Sequence, residues 1–269
     1  MSELTDRFDA LWERLERAVL RSGRAPGSVT LTAVSKTYGA DVAAELVRHQ
    51  RARSSGALCG ERVIFGESYM QEATAKMAQV ADLLTHGDTG QNRAASLLPG
   101  WHFIGGLQRR KAGDAVGRFE LIHSLDSVKL AAALQKAWEK QAEATRSGAD
   151  GTEFALQDVL VQVNVGRETQ KSGVDPDGLE DLLNAVAPMR GLRVRGLMCV
   201  PPAVQESGAS RPWFILLRHL RDEMEKRCGL VLPVLSMGMS DDFEEAVEEG
   251  ATLVRIGSLI FGPRRRPGG

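Results

Sequence analysis

One pattern limits this chain more than any other: short apolar, β-rich runs that alternate with stretches of helical spacing. The runs are VTLTAV (29–34), RVIF (62–65), WHFIG (101–105), FELIHS (119–124), DVLVQVNV (158–165), LRVRGLM (192–198), LPVLS (232–236) and TLVRI (252–256). Helical patterns fill 41–48, 68–84, 127–146, 177–186, 212–227 and 241–249. A helix between successive strands favours parallel pairing, and eight such units fit a closed barrel better than an open sheet. The expected fold is α/β, a single (β/α)8 TIM barrel. Between Trp101 and Phe119 only a short helix fits.

The length of 269 residues suits one barrel of about 250 residues, so one domain is expected over 1–269. Within it, Leu4, Phe8, Leu11, Leu15 and Val19 are spaced as the buried stripe of an extra N-terminal helix in 1–25, not as a secretory leader. Residues 264–269 read as a flexible, solvated tail, and 51–60, 85–100 and 147–153 as surface excursions. With 34 Lys and Arg against 35 Asp and Glu, the formal charge is −1. No broad field draws nucleic acid or a membrane surface, so a phosphate site must be local. No run reaches membrane-spanning length. Cys59, Cys199 and Cys228 lack disulfide or metal-ligand spacing, which points to reduced thiols, a cytoplasmic location and no metal.

In AVSKT (33–37) an apolar strand ends on Lys36. A lone lysine there can lay its stem over apolar surface and keep its ammonium in water. Alternatively it is partly desolvated in a polar pocket, with an amine able to form a Schiff base with a carbonyl. The C-terminal strand ends are where a barrel carries its chemistry. Two small-residue stretches converge on the same face. LSMGMSDDFEEAVEEG (235–250) places Ser240 before a helix expected near Asp241, as a phosphate ligand or as an ordinary N-cap. In LVRIGSLIFG (253–262), Gly257 allows close backbone approach and Ser258 offers a hydroxyl and an N–H. Barrels often bind phosphate in the loops after strands seven and eight. Arg255 is either exposed or paired with a carboxylate, or it points inward, where it would donate to a ring nitrogen of an aromatic cofactor.

AVSKT, FGESYMQE, WHFIGGLQ, KSG, RGLM, LSMGMSDD and VRIGSLIFG together resemble the pyridoxal phosphate homeostasis protein family, in family order from Thr30 to Gly262. The resemblance implies a barrel similar to the alanine racemase N-terminal domain, with pyridoxal 5′-phosphate (PLP) attached to Lys36. It further implies phosphate contacts from Ser240, Gly257 and Ser258, Arg255 facing the pyridine nitrogen, Met198 near the ring, and Ser236 and Met237 lining its rim. Ser68 stands where the family usually has asparagine, in FGEN, which shortens or removes an amide contact near the cofactor. Gly106, Arg109 and Arg110 alter the family's WHFIGPLQSNK loop.

The function expected from the resemblance is PLP binding in vitamin B6 homeostasis, with no catalytic residue and no robust catalysis. PLP-dependent apoenzymes are possible partners, and the chain is expected as a monomer, with a dimer also open. One alternative is a weakly active amino-acid racemase; that needs an acid opposite Lys36, and the chain's two tyrosines, Tyr38 and Tyr69, do not supply an evident one. The other is a Schiff-base aldolase with Lys171 as the second amine, although a solvated lysine explains Lys171 equally well.

Overall fold

The computed structural model describes residues 2–52, 62–85, 98–146, 154–203 and 208–263. Cys59, the tail at 264–269, and most of the stretches at 51–60, 85–100 and 147–153 lie outside the described residues.

The eight expected strands form, with ends shifted by no more than two residues. They are β1 (Thr30–Val34), β2 (Ile64–Glu67), β3 (Gly100–Phe103), β4 (Leu121–Leu125), β5 (Gln157–Val163), β6 (Leu192–Cys199), β7 (Val234–Ser236) and β8 (Leu253–Ile256). They follow one another in chain order as a closed barrel. The register of β1 on β8 pairs Thr32 with Arg255 and Ala33 with Ile256.

The helices are α1 (Glu3–Arg21), α2 (Ala40–Ala52), α3 (Met70–Thr85), α4 (Ala112–Ala115), α5 (Val128–Arg146), α6 (Leu179–Val186), α7 (Arg211–Cys228), α8 (Phe243–Glu248) and α9 (Ser258–Phe261). The short helix expected after WHFIG is α4, preceded by a tight turn at Arg109–Lys111. A second tight turn, led by Pro176, replaces the first residues of the helix expected from Asp177. Among the described residues no helix is long and apolar enough to cross a membrane.

The chain falls into two compact units, residues 1–100 with 237–269, and residues 101–236. In the first, α1 buries Leu4, Phe8, Leu11, Leu15 and Val19, the stripe read from the sequence, together with Trp12. Its start is capped by Ser2, whose side chain accepts from the Thr5 N–H. Leu31 and Ala33 of β1 line a cavity with Phe8 and Trp12, so this face of the strand looks toward α1. Alternation then sends Thr32 and Val34 to the inner face.

The second unit buries β4 and β5 almost completely. Gly196 on β6 has φ of 154°, and a Cβ there would stand 1.8 Å from the Val234 carbonyl oxygen, so no other residue lets β6 lie this close to β7.

Candidate functional site

The site is built on β1 and β8 of the first unit. Val254 and Ile256 occupy one face of β8, and Val254 lies close to Gly238, beside Ala246 and Phe243 of α8. That is the helix-packed outer face, so Arg255, only 5 % exposed, points to the inner one. Its register partner Thr32 is also on the inner face. Lys36 lies two residues past Val34, in the turn that follows β1, and is half-buried. The loop after β8 folds over the same end of β1, since a Cβ on Gly257 would lie 3.4 to 3.9 Å from Val34. Lys36, Arg255, Gly257 and Ser258 therefore gather at one end of the β1/β8 pair, as the sequence suggested.

Gly257 has φ of −119°, open to any residue, and the space around it tolerates a Cβ at ordinary contact distance. The fold itself does not demand glycine there. What the glycine leaves bare is backbone next to the α9 start, where the N–H groups of Ser258 and Leu259 have no acceptor among the described residues. Ser258 is exposed. These donors, a half-buried amine and a buried guanidinium suit an anionic, aromatic aldehyde.

The SMG loop runs beside β8. The Met237 N–H donates to the Leu253 carbonyl at 3.1 Å, and the Arg255 N–H to the Gly238 carbonyl at 3.0 Å. Gly238 is needed by the fold itself: its φ is 91°, and a Cβ would stand 2.6 Å from that of Ala246. Ser240 does not cap the next helix, because α8 begins at Phe243 with Asp242 in the cap position. The Asp242 carboxylate accepts from the Met239 N–H at 2.6 Å instead, closing the loop in which Ser240 sits half-buried.

Ser68 is half-buried just after β2. Met237 is fully buried. In the second unit Met198 and Ser236 are register partners on β6 and β7, both buried. The Ser236 hydroxyl is 3.0 Å from His123 Nδ1. Among the described residues there is no group of three or more His, Cys, Asp or Glu arranged to hold a metal.

Sequence reasoning missed the charged cluster behind Lys36. Lys76 of α3 is 4 % exposed and Glu67 of β2 is 0 % exposed. Lys76 Nζ donates to Glu67 Oε1 at 2.7 Å, to the Ser35 carbonyl at 2.7 Å and to Glu72 Oε1 at 3.0 Å. Ser35 Oγ donates to Glu67 Oε1 at 2.6 Å. The sequence did carry a signal: Lys76 interrupts the buried stripe of Met70, Ala73, Val80 and Leu84 on α3.

A parallel barrel with a lysine, an arginine and a small-residue loop grouped at one end of β1 and β8 defines a class. The chain belongs to the family described as the alanine racemase N-terminal domain, whose profile matches residues 8–265. It is similar to the pyridoxal phosphate homeostasis protein of Aquifex aeolicus, 38 % identical over 260 residues covering 97 % of this chain and 98 % of that one. The protein of that name in Escherichia coli is 32 % identical over 268 residues, 98 % of each chain. PipY of Synechococcus elongatus, solved with PLP bound, superposes with a TM-score of 0.73 at 29 % identity, covering 97 % of this chain and all of that one. Alanine racemase of Corynebacterium glutamicum shares the fold, with a TM-score of 0.58 at 18 % identity over 97 % of this chain and 62 % of its own.

Proposed function

We propose that this protein binds pyridoxal 5′-phosphate, holds it as a Schiff base on Lys36 and serves intracellular vitamin B6 homeostasis without robust catalysis. The observation that carries the reading is Lys36 at the end of β1 against which Gly257 is packed, in a chain whose relatives bear that name. When bound, the cofactor would supply an aldehyde, and Lys36 would hold it through its neutral amine, whose two hydrogens would leave with the aldehyde oxygen as water. Ser240, Gly257 and Ser258 would hold the phosphate. Arg255 would donate to the ring nitrogen and keep it unprotonated, which weakens the ring as an electron sink. Ser68, Met198, Ser236 and Met237 would frame the ring. One continuous domain would carry the site, as the family match over 8–265 supports.

A racemase needs an acid facing Lys36 across the substrate. Tyr38 is committed elsewhere: its ring stacks on Phe261 at 4.9 Å and its hydroxyl donates to the Gly262 carbonyl at 3.0 Å. Tyr69 is 59 % exposed. The aldolase reading fares no better, since the Lys171 ammonium is paired with Glu168 and donates to the Pro201 carbonyl at 2.9 Å. We read the protein as a cytoplasmic monomer that exchanges cofactor with PLP-dependent apoenzymes; Cys199 and Cys228, neither of them in a disulfide, suit a reducing compartment.

The test is the visible spectrum before and after borohydride, with mass mapping of the trapped label. A yellow band that bleaches and leaves the label on Lys36 is expected, and Lys36→Ala should fold but take no label there. A colourless protein that stays colourless with added PLP would overturn the reading. Pyridoxal without phosphate should bind far more weakly; equal affinities would remove the phosphate site.

A further inference from the structure

The cluster behind Lys36 grips the residues on either side of it. Lys76 donates to the Ser35 carbonyl, and the Ser35 hydroxyl donates to Glu67. On the far side, the Thr37 N–H donates to Glu72 Oε1 at 2.6 Å, the same oxygen that accepts from Lys76. The Tyr38 N–H closes the turn on the Ser35 carbonyl at 3.1 Å.

Two features set this turn apart from an ordinary connection. Thr37 has φ of 71°, a left-handed conformation that a β-branched residue rarely adopts. Holding it there requires surrounding contacts strong enough to impose it. The contact to Thr37 comes from half-exposed Glu72, which is tied to two buried charges of the kind interiors otherwise avoid, Lys76 and Glu67, and Glu67 keeps its second oxygen, Oε2, buried without a partner. Packing alone would be served better by apolar side chains at 67 and 76.

The three hydrogens of the Lys76 ammonium are matched by three acceptors, Glu67, Ser35 and Glu72. An amine so engaged has no lone pair to offer a carbonyl. Lys36 is the half-buried lysine in the turn after β1, and Lys76 the buried one, 4 % exposed.

We propose that Glu67, Lys76 and Glu72 are positioning residues: they lock the Ser35–Tyr38 turn so that the Lys36 amine meets the aldehyde of the bound phosphate ester at a fixed angle, while Lys76 itself forms no imine. The proposal rests on the cofactor reading above. It predicts that loosening the turn slows attachment without weakening the grip on the rest of the ligand.

Two probes separate these effects. PLP with borohydride measures attachment to Lys36, and pyridoxine 5′-phosphate, which has an alcohol in place of the aldehyde, measures non-covalent binding. In Lys76→Met the rate of labelling at Lys36 should fall by about tenfold or more, while the pyridoxine phosphate Kd moves by less than about twofold. Glu72→Ala, at the more exposed end of the cluster, should give a smaller fall of the same kind, and it decides the matter if Lys76→Met does not fold. Labelling at the wild-type rate in the folded variants would overturn the proposal. So would a parallel weakening of both probes, which marks a merely structural role, or a wild-type label on Lys76. A wild-type protein that takes no label at all overturns the cofactor reading and this proposal with it, whereas a labelled wild type with unaffected variants overturns the positioning role alone.

Discussion

Each of the two units buries a polar cluster, and the two clusters are built differently. In the second unit His123, fully buried, has Nδ1 3.0 Å from the Ser236 hydroxyl and Nε2 3.1 Å from Nδ1 of His102. Two imidazoles and a hydroxyl can satisfy one another without a formal charge. In the first unit the cluster is ionic, holds a residue at positive φ, and leaves a carboxylate oxygen unpartnered. A neutral chain of this kind explains itself as interior polar groups finding partners. Buried ions cost more than they return in packing, so they call for a purpose outside it.

The sharpest way to break the contrast is Lys76→Met. It strands the Glu67 carboxylate and should cost about 3–5 kcal/mol of unfolding free energy in denaturant titration. Adding Glu67→Gln should return part of that loss. A single variant as stable as wild type would show that the ion pair carries no more than the neutral chain does.

His123→Phe puts a somewhat larger apolar ring in place of the imidazole and removes its hydrogen bonds to Ser236 and His102. It should cost about 1–3 kcal/mol, less than Lys76→Met, by the same titration. A reversed order would mean that the neutral chain is the more heavily used of the two.

Protonation offers a finer test. Burial pushes the Glu67 carboxyl up from its ordinary value of 4.5, against the opposing pull of Lys76 and Ser35, with nearby Glu72 adding to the rise. The folded protein then holds this proton more tightly than the unfolded chain. The resulting stabilisation is present below 4.5 and is lost as pH rises through the elevated value. The stability of wild type minus that of Glu67→Gln should therefore fall as pH climbs above 4.5 and through the elevated value. A rise over that window would mean that Lys76 outweighs burial.

The smallest effect belongs to the surface. Arg167 and Asp177 form a two-pronged pair, with the shorter bond at 2.6 Å, but both are fully exposed to solvent screening. Arg167→Ala should leave the thermal midpoint where it is. A clear drop there would weaken the distinction between buried and exposed charge.

Where the sequence was legible, a local pattern sufficed. Strand runs bounded by turns located all eight strands, and heptad-like spacing located α1. The gathering of Lys36, Arg255, Gly257 and Ser258 was readable because barrel topology sends the ends of the first and last strands to one place. Ser240 was misread as a possible cap, because an N-cap depends on backbone angles that Ser-Asp-Asp does not fix, and Asp242 took the position. The four-residue α9 is too short for periodicity to reveal. Glu67 and Lys76 escaped because their meaning lies in each other: nine positions apart on a strand and a helix, each alone reads as a surface charge. His102 and His123 were hidden in the same way, as single polar letters inside apolar strands.

The first unit is assembled from both ends of the chain, residues 1–100 and 237–269, whereas the second is one continuous stretch. On a ribosome this has a consequence of timing. Lys36 emerges early, but its partner strand β8 and the loop at Gly257 and Ser258 are made last, and α1 must wait for Ile260, whose carbonyl accepts from Arg7 at 2.9 Å. The middle stretch is complete before β8 appears, at the usual pace of synthesis of about 5–20 residues per second. A nascent or truncated chain thus owns Lys36 without the Gly257–Ser258 loop packed against β1, and on the proposed reading it would have the amine but not the cradle.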